Sequence, residues 1–347
     1  MSFVSARVGY VLGTTATCTN APCTTLVRTS DGGRAWQAIP APRVPYAEGL
    51  DGSSPLTGVS RVRFANGQDG WAFGPGLVVT HNGGATWQEV SMPGAVTALE
   101  AVNGRAYALV ASALSATGSG TFTLYSSPAN RTDFKPLPGV SATGFGPAFP
   151  GPTDPIALHS SGSSVAGFVL LALTGTYPPR PALYATGDGV HWAPFPDPCA
   201  VTGNSLGLTS FAMPDIATLD SLCSGNGATG STQKEAVRTA QGQSVALGAP
   251  GLGGDGGQLA APTTLDLLLA TASAASWIYR SSDGGATWST AAFYDDGGVG
   301  FTDFGCTTAT QCVAVHGQPR AQSQALGPDA LIMSTNGGMT WHDVAIG

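Results

Sequence analysis

Five charged residues stand in positions where their counterparts elsewhere in the chain are mostly small or apolar: Arg61, Arg63, Glu100, Asp266 and Asp303. They emerge when the segments VSRVRF, VTALEA, LTSFAM and FTDFGC, and more loosely PTTLDL, are aligned. Each runs apolar, Ser or Thr, variable, apolar. One variable column holds Arg61, Ala98, Ser210, Thr264 and Asp303, and the next holds Arg63, Glu100, Ala212, Asp266 and Gly305. Carboxylates and guanidinium groups on neighbouring strands can pair with one another or hold solvent, which is a structural role. They can also form a small-ligand or glycan site on rigid elements. Two carboxyl groups spaced across a glycosidic bond would do acid–base hydrolysis, and Asp303 and Glu100 are the candidates for those roles.

Other chemistry finds less support. The five histidines, His81, His159, His191, His316 and His342, are scattered without metal-ligand spacing. No metal site and no cofactor is expected. GLGGDGG (Gly251 to Gly257) is read as a loop, because no helical pattern follows it as a phosphate-binding turn would require. The six cysteines fall into close pairs, Cys18 with Cys23, Cys199 with Cys223, and Cys306 with Cys312. An even count with local pairing, and no C-x-x-C or neighbouring His cluster, predicts three disulfides and an oxidising compartment.

The elements that position these residues are set by a repeat. TSDGGRAW (Thr29 to Trp36), THNGGATW (Thr80 to Trp87), SSDGGATW (Ser281 to Trp288) and STNGGMTW (Ser334 to Trp341) share one pattern, and TGDGVHW (Thr186 to Trp192) is a shortened copy. Adjacent copies lie about 50 residues apart, and the two longer gaps, Trp87 to Trp192 and Trp192 to Trp288, are about twice that. Each gap therefore holds an eroded copy: LYSSPANRTDFKPL (Leu124 to Leu137), with Phe134 in place of Trp, and AVRTAQGQSVALG (Ala236 to Gly248), with no aromatic residue. The spacing predicts one all-β domain over 1–347: a seven-bladed β-propeller, with six blades as the alternative. Each blade has four antiparallel strands, and blade boundaries fall near 1–42, 43–93, 94–138, 139–197, 198–249, 250–293 and 294–347.

Within each copy the residue types explain themselves as a tight turn between third and fourth strands. Glycine supplies positive φ. Asp31, Asn82, Asp188, Asp283 and Asn336 accept backbone N–H groups, and the preceding Thr or Ser does likewise. Trp36, Trp87, Trp192, Trp288 and Trp341 fold back as apolar plugs. Asp alternates with Asn here, which suits a hydrogen-bond acceptor and not a catalytic acid or calcium ligand. Arg28, Arg238 and Arg280 precede copies at equivalent places, which suggests a repeated structural role.

These copies resemble the Asp-box, or BNR, repeat, S-x-D-x-G-x-T-W, over nearly the whole chain. Similar repeats occur in sialidases, two-propeller xyloglucanases, sortilin-type receptor ectodomains, photosystem II assembly propellers and many secreted bacterial proteins. The resemblance implies a propeller and no particular activity. For a sialidase it would further imply three arginines gripping a carboxylate, a Tyr–Glu pair, an Asp acid/base and an F/Y-R-I-P segment. None is visible, and the nearest string, PPRPAL (Pro178 to Leu183), lacks the pattern.

Composition narrows the partners. Of 347 residues, 42% are hydrophobic and only 10% charged, with 49 Gly and 25 Pro, which favours short strands and frequent turns. The net charge is −7 and the only lysines are Lys135 and Lys234, so a nucleic-acid partner is not expected. No apolar run reaches the length of a transmembrane segment, and MSFVSARVGYVLG alternates like a strand instead of reading as a signal peptide. The expected protein is a monomeric, secreted or extracytoplasmic module without catalysis, binding a protein or carbohydrate ligand. The alternative is a glycoside hydrolase of sialidase-like descent. Long segments rich in Pro, Gly and Ser, Gly144 to Ser164 and Cys223 to Gln233, are read as loops that rim one face.

Overall fold

A computed structural model describes residues 1–14, 23–47, 58–115, 117–146, 154–174, 180–203, 206–226, 232–248, 252–317 and 330–346. The chain divides into two compact units, Met1–Gly146 with Ala345–Gly347, and Pro147–Val344. Both are all-β. Among the described residues the one helical segment is a 3₁₀ turn, Pro198–Thr202.

The first unit holds three meanders in which each strand pairs antiparallel with the next. They are β1 (Ser2–Phe3), β2 (Gly9–Thr14), β3 (Thr24–Thr29), β4 (Gln37–Ile39); β5 (Arg61–Phe64), β6 (Gly70–Phe73), β7 (Leu77–Thr80), β8 (Gln88–Glu89); and β9 (Ala95–Val102), β10 (Arg105–Ser112), β11 (Ser119–Pro128), β12 (Lys135–Phe145). The second unit holds four more. They are β13 (Ile156–Ser161), β14 (Ser164–Leu173), β15 (Pro181–Thr186), β16 (Trp192–Phe195); β17 (Gly207–Ala212), β18 (Thr218–Asn226), β19 (Thr232–Ala240), β20 (Gln243–Gly248); β21 (Asp255–Ala260), β22 (Leu267–Ala272), β23 (Ser276–Ser281), β24 (Ser289–Tyr294); and β25 (Phe301–Cys306), β26 (Cys312–His316), β27 (Ala330–Ser334), β28 (His342–Val344).

Burial follows strand position. β6 and β7 are buried at every residue, and β22 at all but its last. A continuous apolar strand is what a sheet covered on both faces requires. The covering is the neighbouring meander. Trp71, Phe73, Leu77 and Val79 of the second meander pack with Val96, Leu99, Ala108 and Val110 of the third. Tyr10 stacks on Phe64 between the first and second, with ring centroids 3.6 Å apart. In the second unit, Ala270 and Ile278 pack with Phe301, Ala314 and Ile332. β8 and β28 lie at the edges of their sheets: both residues of β8 are exposed, as are the first two of β28.

The structure corrects three expectations. The segment Gly144 to Ser164 is not all loop, because IALHSS forms β13 and pairs with β14 from Ile156↔Val169 to Ser161↔Ser164. Likewise Cys223 to Asn226 belongs to β18, and β19 starts at Thr232. PTTLDL is not a first strand. The first strand of its meander is β21, DGGQLA, so Thr264 and Asp266 lie in the link to β22. Glycine hid that strand, and packing explains the glycine: a Cβ at Gly257 would lie 2.6 Å from Leu269 Cδ1 and 2.9 Å from the Ala270 carbonyl oxygen.

Two of the expected disulfides are formed. Cys199–Cys223 ties the 3₁₀ turn to β18, and Cys306–Cys312 crosses the β25–β26 hairpin. Cys18, expected to pair with Cys23, lies outside the described residues.

Candidate functional site

The repeated turn has one hydrogen-bond scheme. In the copy after β7, Thr80 Oγ1 donates to Asn82 Oδ1 (3.0 Å) and accepts the Gly84 N–H (2.9 Å), while Asn82 Oδ1 accepts the Thr86 N–H (2.9 Å). Ser281, Asp283 and Gly285 repeat it at 2.7, 2.8 and 2.9 Å, the last to the Thr287 N–H. Ser334 and Asn336 do so again, as do Thr29 with Asp31 and Thr186 with Asp188.

The exchange of Asp for Asn has a local explanation. Asp283 Oδ2 accepts the Thr287 hydroxyl (2.5 Å), whereas Asn82 Nδ2 and Asn336 Nδ2 donate to the Thr86 and Thr340 hydroxyls (2.8 Å each). A hydroxyl serves either way. Hydrogen bonds from the Thr287 side chain and backbone hold the Asp283 carboxyl down at about 2, and the Ala35 N–H leads those that lower Asp31. In Asp188 the His191 ring is the leading cause of the same downward shift.

The tryptophans are half-buried rather than fully enclosed. Trp87 Nε1 donates to the Pro40 carbonyl of the preceding meander (3.0 Å), while Trp288 and Trp341 donate to Gly285 and Gly338 in their own turns. The turns are also tied to the link between first and second strands. Gly32, Gly83, Gly284 and Gly337 donate their N–H groups to the carbonyls of Arg7, Gln68, Leu265 and Thr310, at 2.8–2.9 Å.

The five charged candidates fall in both units. In the first unit Arg63 on β5 and Glu100 on β9 form an ion pair at 2.5 Å, both largely shielded from solvent. Arg61, two residues earlier on β5, is half-buried. In the second unit Asp303 sits half-buried on β25, beside a register shift between Phe301 and Asp303. Asp266 leaves the first-strand set altogether. It binds Arg280 Nη2 at 2.5 Å, and Arg280 Nε donates to the Gly337 carbonyl (2.9 Å), in the turn of the next meander.

That clamp has a counterpart. Arg238 holds both oxygens of the buried Asp220, at 2.7 and 2.9 Å. Burial lifts the Asp220 carboxyl, and its bonds to Arg238 oppose that and raise the guanidinium. Arg28 differs: its guanidinium lies over the Tyr10 ring at 6.0 Å. The equivalent arginines thus share a structural setting, with an acidic partner in two of the three.

Several polar constellations carry no sequence signal, because their members are far apart or in unlike contexts. His81 Nδ1 meets Asp69 Oδ1 at 2.8 Å. His316 Nε2 meets Asp296 Oδ2 at 2.6 Å, with the buried Ser276 hydroxyl on the same oxygen. Burial opposes the charge on Asp296, yet bonds from Ser276, His316 and the Gly298 N–H keep its carboxyl below the usual value. Lys234 is buried, and its ammonium donates to the carbonyls of Leu252, Gly253 and Gly254; burial lowers its pKa. Among the described residues no group of three or more His, Cys, Asp or Glu is gathered as metal ligands are, and no helix is long and apolar enough to cross a membrane.

The meander architecture defines a class, the β-propeller, and solved structures agree. A structure titled YCF48 bound to D1 peptide aligns at TM-score 0.57 and 17% identity, over 96% of this chain and 91% of that one. YCF48 from Cyanidioschyzon merolae aligns at 0.55 and 14%, over 95% and 91%. Trypanosoma rangeli sialidase in complex with 2,3-difluorosialic acid aligns at 0.48 and 12%, over 76% and 50%, a level from which nothing about activity follows. No family model and no curated protein matches the chain.

Proposed function

We propose that this chain is a non-catalytic, extracytoplasmic seven-bladed β-propeller that binds a segment of a partner protein. One observation carries the reading: Glu100 and Asp266, two of the three acidic candidates, each bind a guanidinium group, Arg63 and Arg280, at 2.5 Å. A carboxylate taken up by a guanidinium group is occupied as a hydrogen-bond acceptor and is not free to face a scissile bond. The same pairs make rigid, charged anchor points of the kind that fix a ligand's orientation. Seven runs of four antiparallel strands among the described residues support that blade count. The similar propeller in complex with a peptide supports a protein ligand, and the two disulfides support an oxidising compartment. Arg61, Arg63 and Glu100 are the proposed contact residues of the first unit and Asp303 is a separate candidate in the second, with Asp31, Asn82, Asp188, Asp283 and Asn336 as scaffold.

Selection from a peptide display library against the intact chain tests this. Enriched peptides are expected, with binding lost in Arg63→Gln while the melting temperature stays near that of the parent. Turnover of aryl glycosides that disappears in Glu100→Gln or Asp303→Asn would replace this reading with the hydrolase.

A further inference from the structure

An open groove of about 320 Å³ lies in the first unit, lined by His81, Gln88, Asn130, Arg131, Thr132 and Asp133. It sits between the intact second turn, which supplies His81, and the eroded third turn, which supplies residues 130–133. The erosion explains the opening. In the second turn Gly84 approaches the preceding meander so closely that a Cβ would lie 3.0 Å from Ile39 Cδ1, and Trp87 reaches Pro40. The third turn has neither the glycine pair nor the tryptophan. Its Phe134 packs inward against the Trp71 cluster, and longer polar side chains border the groove instead.

The lining specifies an occupant. Among the described residues no Phe, Tyr, Trp or aliphatic side chain borders the groove, so an apolar helix finds no platform. Gln88 and Asn130 carry amides, each with a donor and an acceptor, which match a peptide unit. Gln88 belongs to β8, the outermost strand of its meander, where an extended chain can lie alongside.

The charged groups of the groove are Arg131 and Asp133, with the His81 ring beside them. Asp133 already has the Lys135 ammonium at 3.8 Å and the Ser127 hydroxyl at 3.4 Å. His81 commits Nδ1 to Asp69, whose other oxygen accepts from Asn66 (2.9 Å). That fixes the ring and leaves Nε2 for a ligand. Among the described residues the uncommitted cation of the groove is therefore Arg131, whose guanidinium suits a carboxylate.

We infer that this groove binds an extended segment of a partner protein along β8, with an acidic side chain on Arg131. The inference rests on the protein-binding reading and adds a second site to it.

The test uses the intact ¹⁵N-labelled chain titrated with acetyl-Thr-Thr-Glu-Thr-Thr-amide and its Gln and Lys counterparts, followed by amide chemical shifts. The Glu peptide is expected to move the amides of 88–89 and 130–133, with the Lys peptide at least about fivefold weaker and Arg131→Ala about tenfold weaker for Glu. Equal shifts from Glu and Lys peptides overturn the proposal. So do shifts confined to the surroundings of Arg63 and Glu100, which would leave the protein-binding reading standing, and so does silence from all three peptides. The same amides moving with maltohexaose but not with the Glu peptide would assign the groove to a glycan. Failure of the library selection to yield any peptide would instead count against the wider reading.

Discussion

The second and third turns of the first unit occupy the same place and solve it with different chemistry. Both join a third strand to a fourth, β7 to β8 and β11 to β12. Both send a backbone N–H to the first link of their meander, Gly83 to the Gln68 carbonyl (2.9 Å) and Ala129 to the Gly104 carbonyl (2.8 Å). The second closes on itself through Thr80, Asn82 and Gly84, spending its polar atoms internally. The third relies on one hydroxyl, Ser127 Oγ, which has the carbonyls of Pro128 and Arg131 within 3.3 Å, and its next residues face the groove. The tie to the first link is thus what the fold demands. The box chemistry is one way to satisfy the rest, and where it is lost, side chains become available to a ligand.

The sharpest way to break this comparison is Trp87→Ala, which removes the bond to Pro40 and the edge contact with Phe64 (6.2 Å). It is expected to cost about 2–3 kcal/mol in denaturant unfolding. Phe134→Ala, with no polar tie of its own, should cost less. A larger loss at Phe134 would mean that the eroded turn holds the meander as strongly as the intact one.

Gly285→Ala comes next. Gly285 sits at φ +96° and a Cβ would lie 3.0 Å from Leu247 Cδ1, so about 1–3 kcal/mol is expected. Thermal melting that is unchanged would show that the turn tolerates a side chain there.

Acid should separate Asp turns from Asn turns. Because the Asp283 carboxyl is held down at about 2 in the fold, its stabilisation is complete above the unfolded carboxylate value near ~4 and fades as pH falls toward about 2. Asp283→Asn is expected to melt like the parent at neutral pH and to lose less between those two values. Identical pH profiles would put the box carboxylates outside the stability account. The smallest effect belongs to the eroded turn: Thr132→Ala should shift unfolding by less than about 0.5 kcal/mol.

What could be read from the sequence follows the same division. The turn residues are legible because the motif fits within eight positions, so Thr or Ser, Asp or Asn, Gly and Trp recur at fixed offsets. The strands of the second and seventh meanders were legible because apolar runs alternate with Gly and Asn turns. β13 was not, since IALHSS is bracketed by Pro, Gly and Ser. Nor was β21, whose glycines answer to Leu269 and Ala270 across the sheet.

The site was legible in part. Arg63 and Glu100 were set together by an alignment of first strands and do meet. Asp266 lies in the link to β22 and not in a first strand, and its partner Arg280 is marked in the sequence only by its place before a turn. Pairs such as His81 with Asp69 join unlike segments and have no periodic signal to expose them.

The central claim is that the repeated turn is scaffold and that recognition belongs to positions that vary between repeats. A peptide selected against the intact chain tests it most directly when its affinity is measured for the parent, Asp283→Asn and Arg63→Gln at neutral pH. The account predicts parental affinity in Asp283→Asn and at least about tenfold weaker binding in Arg63→Gln, with all three folded by thermal melting. Binding lost in a folded Asp283→Asn and retained in Arg63→Gln would contradict it.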